Sequence, residues 1–268
     1  MVENNFNFWQ GKRVLITGHT GFKGAWLTLW LRMLGAKVWG FSLEVDTDPS
    51  LFEELNTDDN EFFKKNFSHN IGDILDQKKL NKVIEDCKPE VVFHLAAQAL
   101  VRKSYSETIK TWETNVIGSL RILESLKALQ NNCSVVMVTT DKVYKNNEWI
   151  YGYREIDRLG GNDPYSASKA ACEIAIESWR KSFCGEFKHQ TSKLKIATAR
   201  SGNVIGGGDW SEDRIIPDAI RSLKEGKPIL VRNPNSIRPW QHVLDPLFGY
   251  LRLAEELSNT NSTNLGIC

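Results

Sequence analysis

Tyr165 and Lys169, in the run Tyr165-Ser166-Ala167-Ser168-Lys169, set a phenol and an ammonium four residues apart in a segment that reads as a helix opening at Pro164. That spacing puts both on one helix face. A phenol ionises near pH 10 in water, too high for a general base at neutral pH. A neighbouring cation lowers it, so the pair could accept the proton of an alcohol. On an exposed helix the same two residues would be inert, so the pattern needs a partner. Thr139-Thr140-Asp141-Lys142-Val143-Tyr144, closing the apolar run SVVMVTT, is one. In an open parallel sheet the C-terminal strand ends face the ligand crevice, which would aim Thr140, Asp141 and Lys142 where Tyr165 points. Taken alone, the triplet is a strand-to-loop turn with a solvated Asp-Lys pair. Taken with Tyr165 and Lys169, it points to acid–base chemistry.

A third motif bears on a cofactor. Gly18-His19-Thr20-Gly21-Phe22-Lys23-Gly24 joins an apolar strand to a helix, spaced GxxGxxG rather than GxGxxG. Glycine lets the backbone approach a pyrophosphate, and a helix N-terminus presents free N–H groups and positive dipole. We expect a dinucleotide here. The ribose-binding acid looked for about 20 residues on is not clean: Ser42 ends the next strand, with Glu44 and Asp46 beyond it. No Arg or Lys lies between Gly40 and Leu51 to hold a 2′-phosphate, which favours NAD over NADP. Asp73-Ile74 either holds the adenine edge or supplies an acid to a helix N-terminus.

The elements that must position these groups alternate in type. Arg13–Thr17, Lys37–Phe41, Glu90–Ala97, Ser134–Thr140 and Lys195–Arg200 read as buried strands. Phe22–Leu34, Asp76–Asp86, Ser104–Leu129 and Pro164–Phe183 read as helices, the first with Trp26, Leu27, Trp30, Leu31 and Leu34 on one face. Glu44–Asn70 is polar and irregular. Near-continuous apolar strands alternating with helices imply a Rossmann-type, doubly wound α/β fold with a parallel sheet. We expect a dinucleotide-binding domain over 1–205. After Gly206 the pattern loosens, with a helix around Pro217–Lys224 and a turn-rich stretch Arg232–Pro239, so 206–268 is expected to form a smaller lobe.

Composition excludes several classes. The 41% hydrophobic and 25% charged content of 268 residues is that of a globular chain with a sizeable core. A net charge of +1 supplies no global field for nucleic acid or an acidic membrane, so an anionic ligand must be met by local groups. Five scattered cysteines without a CxxC pair argue against a disulfide framework and a zinc site and fit a reducing cytoplasm; no metal is expected. No apolar run reaches membrane-spanning length, and MVENNFNFWQGK lacks the pattern of a signal peptide. The nine tryptophans are read as filling core and interfaces.

GHTGFKG, HLAAQ (His94–Gln98), TTDKVY, YSASK, RSGNVIGGGDW (Arg200–Trp210), RIIPD (Arg214–Asp218) and RPWQHV (Arg238–Val243) occur in this order. Together they closely resemble the CDP-glucose 4,6-dehydratase family of the extended short-chain dehydrogenase/reductases, over essentially the whole chain. The triplet Thr140-Asp141-Lys142 discriminates most, because related dehydratases carry a glutamate at the third position. The resemblance implies NAD-dependent oxidation at C4 of a CDP-sugar, loss of water across C5 and C6, and hydride return to C6. It implies Tyr165, helped by Lys169 and Thr140, as the base at the C4 hydroxyl. It implies Lys142 near C5 and Asp141 as proton donor to the C6 hydroxyl. Gly18, Gly21, Phe22, Lys23, Gly24, Asp73, Ile74 and Ala96, with Tyr165 and Lys169, would hold the cofactor. Asn203, Arg214 and Arg238 would contact the nucleotide diphosphate, where an arginine fork suits phosphate oxygens. A cytoplasmic homo-oligomer serving deoxysugar biosynthesis, such as that of lipopolysaccharide O-antigen, is the implied setting. The alternatives are another nucleotide-sugar epimerase, dehydratase or reductase of the same superfamily, or an NAD-binding protein without turnover. The chain stops at Asn264–Cys268, where a further strand of the substrate lobe is expected, so that lobe is expected to be incomplete.

Overall fold

The computed structural model describes residues 6–184 and 192–259. Its framework is a six-stranded parallel sheet. The strands are β1 (Arg13–Thr17), β2 (Lys37–Ser42), β3 (Phe67–Ile71), β4 (Val91–His94), β5 (Cys133–Val138) and β6 (Leu194–Ala199), in the order β3-β2-β1-β4-β5-β6. The order reverses between β1 and β4, and the crevice of a doubly wound sheet opens there, at the C-terminal strand ends. The Rossmann-type architecture expected from the alternating pattern is the observed one.

Alternate residues of each strand feed two cores. Val14, Ile16, Val91, Phe93, Val136 and Val138 face α1 (Phe22–Met33). Leu15, Val92, Val135 and Met137 face three helices on the other side. These are α4 (Gln77–Cys87), α7 (Gly118–Lys127) and α8 (Pro164–Phe183). Burial on both faces is why these strands read as unbroken apolar runs.

Three features depart from the expectations. The stretch expected to be irregular holds two short helices, α2 (Leu51–Leu55) and α3 (Glu61–Lys64), and the strand β3. β3 is a sheet edge whose residues are half-buried or exposed, so FSHNI carries no apolar run. The single helix expected over Ser104–Leu129 is broken into α5 (Val101–Ser106), α6 (Thr108–Trp112), a π-turn (Glu113–Ile117) and α7. Glu107 leaves helical geometry at φ −119°, ψ 51°, and Asn115 in the π-turn turns its amide onto the neighbouring loop. Third, the described part of 206–268 does not pack as one unit. It contains α9 (Ile215–Lys224), β8 (Gln241–His242), which pairs with β7 (Val204–Ile205) just before the stretch, and α10 (Leu244–Asn259). α10 lays Leu247, Tyr250, Leu251, Ala254 and Leu257 on the core that α1 covers, and Glu255 takes the indole N–H of Trp9 at 2.7 Å. Apolar burial places α10 with the sheet rather than with a separate lobe. Finally, Asn264–Cys268, where a further strand was expected, lies outside the described residues.

Candidate active site

The glycine turn folds as it does because side chains are excluded from it. Gly18 has φ +78°, and a Cβ there would meet the Ala96 nitrogen at 2.8 Å; one on Gly24 would stand 2.0 Å from the Gly18 carbonyl oxygen. A Cβ on Gly21 would meet only that carbonyl, at 3.5 Å, so this residue faces open crevice. Gly21 caps α1 without a side-chain hydrogen bond, leaving the first-turn N–H groups of the helix available to an anion. The Thr20 hydroxyl ties the turn to β2, donating to the Leu43 carbonyl (3.0 Å) beside the Ser42 hydroxyl (2.7 Å). This arrangement fits a dinucleotide pyrophosphate.

The crevice above the strand ends encloses about 1020 Å³. Its walls include Gly18, Gly21, Phe22, Lys23, Gly24, Ser42, Glu44, Asp46, Asp73, Ile74 and Ala96 at one end. Thr140, Lys142, Tyr165, Lys169, Asn203, Arg214 and Arg238 line it further along. Asp73 accepts from the Leu75 N–H at 2.9 Å, and the cap of α4 is Asp76, so Asp73 stands clear of the helix end.

Tyr165 and Lys169 sit on the first two turns of α8, whose start is set by Pro164 and a reciprocal cap between Asp163 and Ser166. Both are buried. Burial pushes the Tyr165 phenol up to about 12, against the downward pull of the Thr140 hydroxyl and Arg214. The expectation that a neighbouring ammonium lowers this phenol is thus not met in the protein alone: desolvation outweighs the favourable groups, and the Lys169 ammonium donates to the Val138 carbonyl at 3.2 Å. Desolvation also holds the Lys169 ammonium below its ordinary value.

The strand-end triplet forms a 3₁₀ turn, Asp141–Val143, opened by Thr140. Asp141 Oδ1 accepts from the Thr140 hydroxyl at 3.1 Å and from the Lys142 ammonium at 3.3 Å, and that ammonium also reaches Asn203 Oδ1 at 3.5 Å. Triplet, Tyr/Lys pair and Asn203 therefore meet at one place. The arginines are less concentrated. Arg214 donates to Asp209 at 2.8 Å, while Arg238 is exposed and donates to the Ile237 carbonyl.

Sequence reasoning named Lys23 but missed its partners Ser201 and Tyr250, and it missed Asn115. The Lys23 ammonium donates to the Ser201 hydroxyl (2.8 Å) and reaches Tyr250 on α10 (3.4 Å). Burial, with Arg214 and Lys169 adding to it, pulls this ammonium down to about 7. Asn115 donates to Ser168 at 2.9 Å and accepts from the Gln98 N–H at 2.9 Å, bracing α8 against the loop after β4. An asparagine inside a helical pattern was a usable signal, since it disfavours a helix interior. Nothing local marked Tyr250. Among the described residues, no His/Cys/Asp/Glu group could hold a metal, and no helix is long and apolar enough to cross a membrane.

Comparison with known proteins agrees with this geometry. The family model for GDP-mannose 4,6 dehydratase matches residues 15–263. The chain is 50% identical over 251 residues to a CDP-glucose 4,6-dehydratase of Salmonella typhimurium, covering 94% of this chain and 68% of that protein. Among solved structures, Pal from Bacillus thuringiensis superposes with a TM-score of 0.79 at 23% identity, covering 95% of this chain and 76% of the other. A dTDP-glucose 4,6-dehydratase from Bacillus anthracis, solved in complex with NAD, superposes at 0.76 with 21% identity, covering 96% and 74%.

Proposed function

The chain belongs to the GDP-mannose 4,6-dehydratase family, and from that premise we propose that it converts CDP-glucose into CDP-4-keto-6-deoxyglucose with NAD as a catalytic cofactor. One observation carries the reading: Thr140 and Lys142, both hydrogen-bonded to Asp141, line with Tyr165 and Lys169 the crevice that the glycine turn opens. The 50% identity to a CDP-glucose 4,6-dehydratase supports the choice of sugar nucleotide.

Gly18, Gly21, Phe22, Lys23 and Gly24 hold the cofactor pyrophosphate, Asp73 and Ile74 the adenine end, and Ala96, Tyr165 and Lys169 the nicotinamide end. Bound there, NAD supplies a hydride acceptor that later serves as donor, so the reaction has no net redox change. The absence of a cation around Ser42, Glu44 and Asp46 favours NAD over NADP. Asn203, Arg214 and Arg238 hold the substrate diphosphate.

Tyr165, with Thr140 beside its phenol, takes the proton of the C4 hydroxyl. A positively charged neighbour at the nicotinamide position offsets the burial that holds the phenol high. Oxidation at C4 acidifies the C5 proton. Lys142 removes that proton and Asp141 protonates the departing C6 hydroxyl. The Lys142–Asp141 ion pair at 3.3 Å holds one proton between the two groups. Moved onto Asp141, that proton leaves an amine and a carboxylic acid, the two forms the elimination needs. Water loss then restores the ion pair.

The cofactor domain is 1–205 completed by α10, and the substrate lobe lies between them. Exposed Ile109, Trp112 and Ile174 on α6 and α8 suit a surface covered in a homo-oligomer. The setting is a cytoplasmic pathway that consumes a 4-keto-6-deoxy sugar, such as the one leading to lipopolysaccharide O-antigen. Incubation with CDP-glucose and NAD+, read by mass, tests the reading: a product lighter by one water is expected, and unchanged CDP-glucose with bound cofactor refutes it.

A further inference from the structure

Glu173 lies on α8 one turn beyond Lys169, away from the crevice lining, and the steps above do not use it. Its carboxylate is a three-way joint. Oε1 accepts from the Thr139 hydroxyl, at the end of β5. Oε1 and Oε2 accept from Arg200 Nε and Nη2 at 3.0 and 3.1 Å, a bidentate fork at the end of β6. The two side chains are 6% and 3% exposed. The Arg200 guanidinium also lies 4.8 Å over the Tyr144 ring and donates to the Glu155 carbonyl at 3.2 Å. Thr139 and Tyr144 flank Thr140-Asp141-Lys142, so the triplet is tied to the joint on both sides. Ser201 and Asn203, which receive Lys23 and Lys142, follow Arg200 directly in sequence.

Burying an ion pair is a poor way to gain stability, because desolvation offsets the attraction, and an apolar pair of similar volume often does as well. What such a pair does supply is a fixed geometry. We propose that Glu173 is a positioning residue, which holds the oxidation pair Tyr165/Lys169 and the elimination pair Asp141/Lys142 in register by joining α8 to the ends of β5 and β6. This rests on the dehydratase reading for what the two pairs do. Glu173 also faces the Lys169 ammonium and favours its charged form, as does Cys172; Lys23 and His94 face the same ammonium from the start of α1 and the end of β4.

Three variants, read by kinetics and by NMR titration, test it. Thr139→Val removes one arm of the joint with a residue suited to a strand. Glu173→Leu with Arg200→Met removes the ion pair without leaving a lone buried charge. The expected result is a kcat lower by about tenfold in the first and about tenfold to a hundredfold in the second, the cost of a small misplacement of reacting groups. KM for CDP-glucose and the affinity for NAD+ should stay within about twofold in the double variant, because neither Glu173 nor Arg200 lines the crevice. The basic limb of the pH–rate profile should move to lower pH in the double variant, as Lys169 loses a supporting carboxylate. A kcat and a basic limb that both stay put overturn the proposal. If the double variant fails to fold by circular dichroism, Thr139→Val decides: an unchanged kcat overturns it. NMR titration of the Lys169 ammonium, in wild type and in Glu173→Gln, needs no substrate. A downward move supports the joint and an unmoved titration overturns it, even should the wild type fail to dehydrate CDP-glucose, which would sink the dehydratase reading alone.

Discussion

Adding one methyl group at Gly24 and, separately, at Gly21 should have very unequal effects on stability but the same effect on cofactor binding. At Gly24 the new Cβ stands 2.0 Å from the Gly18 carbonyl oxygen and 2.7 Å from the His19 Cα, all backbone, so the turn must open by more than an ångström. Overpacking of that severity costs about 3 kcal/mol. Alanine inside a helix regains about 1 kcal/mol over glycine, leaving a net loss of about 2 kcal/mol. For a chain of this size that lowers the melting temperature by about 4–8 °C. At Gly21 the Cβ meets only one atom, at 3.5 Å, and the backbone there (φ −77°, ψ 166°) suits any residue. Alanine caps a helix less well than glycine by about 0.5–1 kcal/mol, but its stiffer unfolded chain returns about as much, so stability should change by only a few tenths of a kcal/mol. The methyl nevertheless projects over the bare end of α1, where the pyrophosphate must sit. Both variants should bind NAD+ at least about tenfold more weakly, since the close approach of backbone to phosphate is lost. Differential scanning calorimetry with and without NAD+ reads both quantities. A Gly24→Ala protein with wild-type melting and wild-type affinity would refute the argument, as would a Gly21→Ala protein that loses stability in the absence of cofactor.

Tyr165→Phe should lower kcat by about 10²–10⁴-fold, the usual worth of a general base, with circular dichroism and NAD+ binding unchanged; a folded variant keeping most of its rate would remove Tyr165 from that role. Lys142→Met should abolish solvent-deuterium exchange at C5, while Asp141→Asn should slow water loss and leave exchange nearer to wild type; the reverse pattern would exchange their roles. His19 and His94 are both pushed down to about 3, largely by burial, and so stay neutral in the folded protein well below the pH at which the unfolded chain takes up protons. Stability is then complete above about pH 6.5 and lost as pH falls, by up to about 1.4 kcal/mol per pH unit for each histidine. Urea unfolding between pH 6 and 4.5 should show a shallower slope in His94→Gln than in wild type, and an equal slope would mean that His94 titrates alike in both states.

What the sequence disclosed follows from where information is local. Strands β1, β4 and β5 were legible because both of their faces are buried, so Val91, Val92 and Phe93 run on without a polar break. β3 was not, because an edge strand is free to carry Ser68, His69 and Asn70. The glycine turn, the strand-end triplet and the Tyr/Lys pair are contiguous motifs whose spacing states their geometry. Glu173, Arg200 and Thr139 form one joint from three distant stretches, and no window along the chain contains it. α10 did carry a helical period in Leu247, Tyr250, Leu251 and Ala254, but Pro246 and Gly249 interrupt the pattern. Its destination on the sheet was decided by tertiary packing, which periodicity does not encode.

The pairing of Trp9 with Glu255 spans 246 positions of sequence. One whole face of the sheet, including Val14, Val136 and Ala197, is covered in part by α1 and in part by α10. During synthesis that face waits, half clothed, until residues 244–259 have cleared the ribosome. Contacts so distant in the chain fold slowly and leave apolar surface open meanwhile. A nascent chain paused before Leu244 should therefore be a strong client for a chaperone that grips apolar surface. Release of α10 should be the event that ends that dependence.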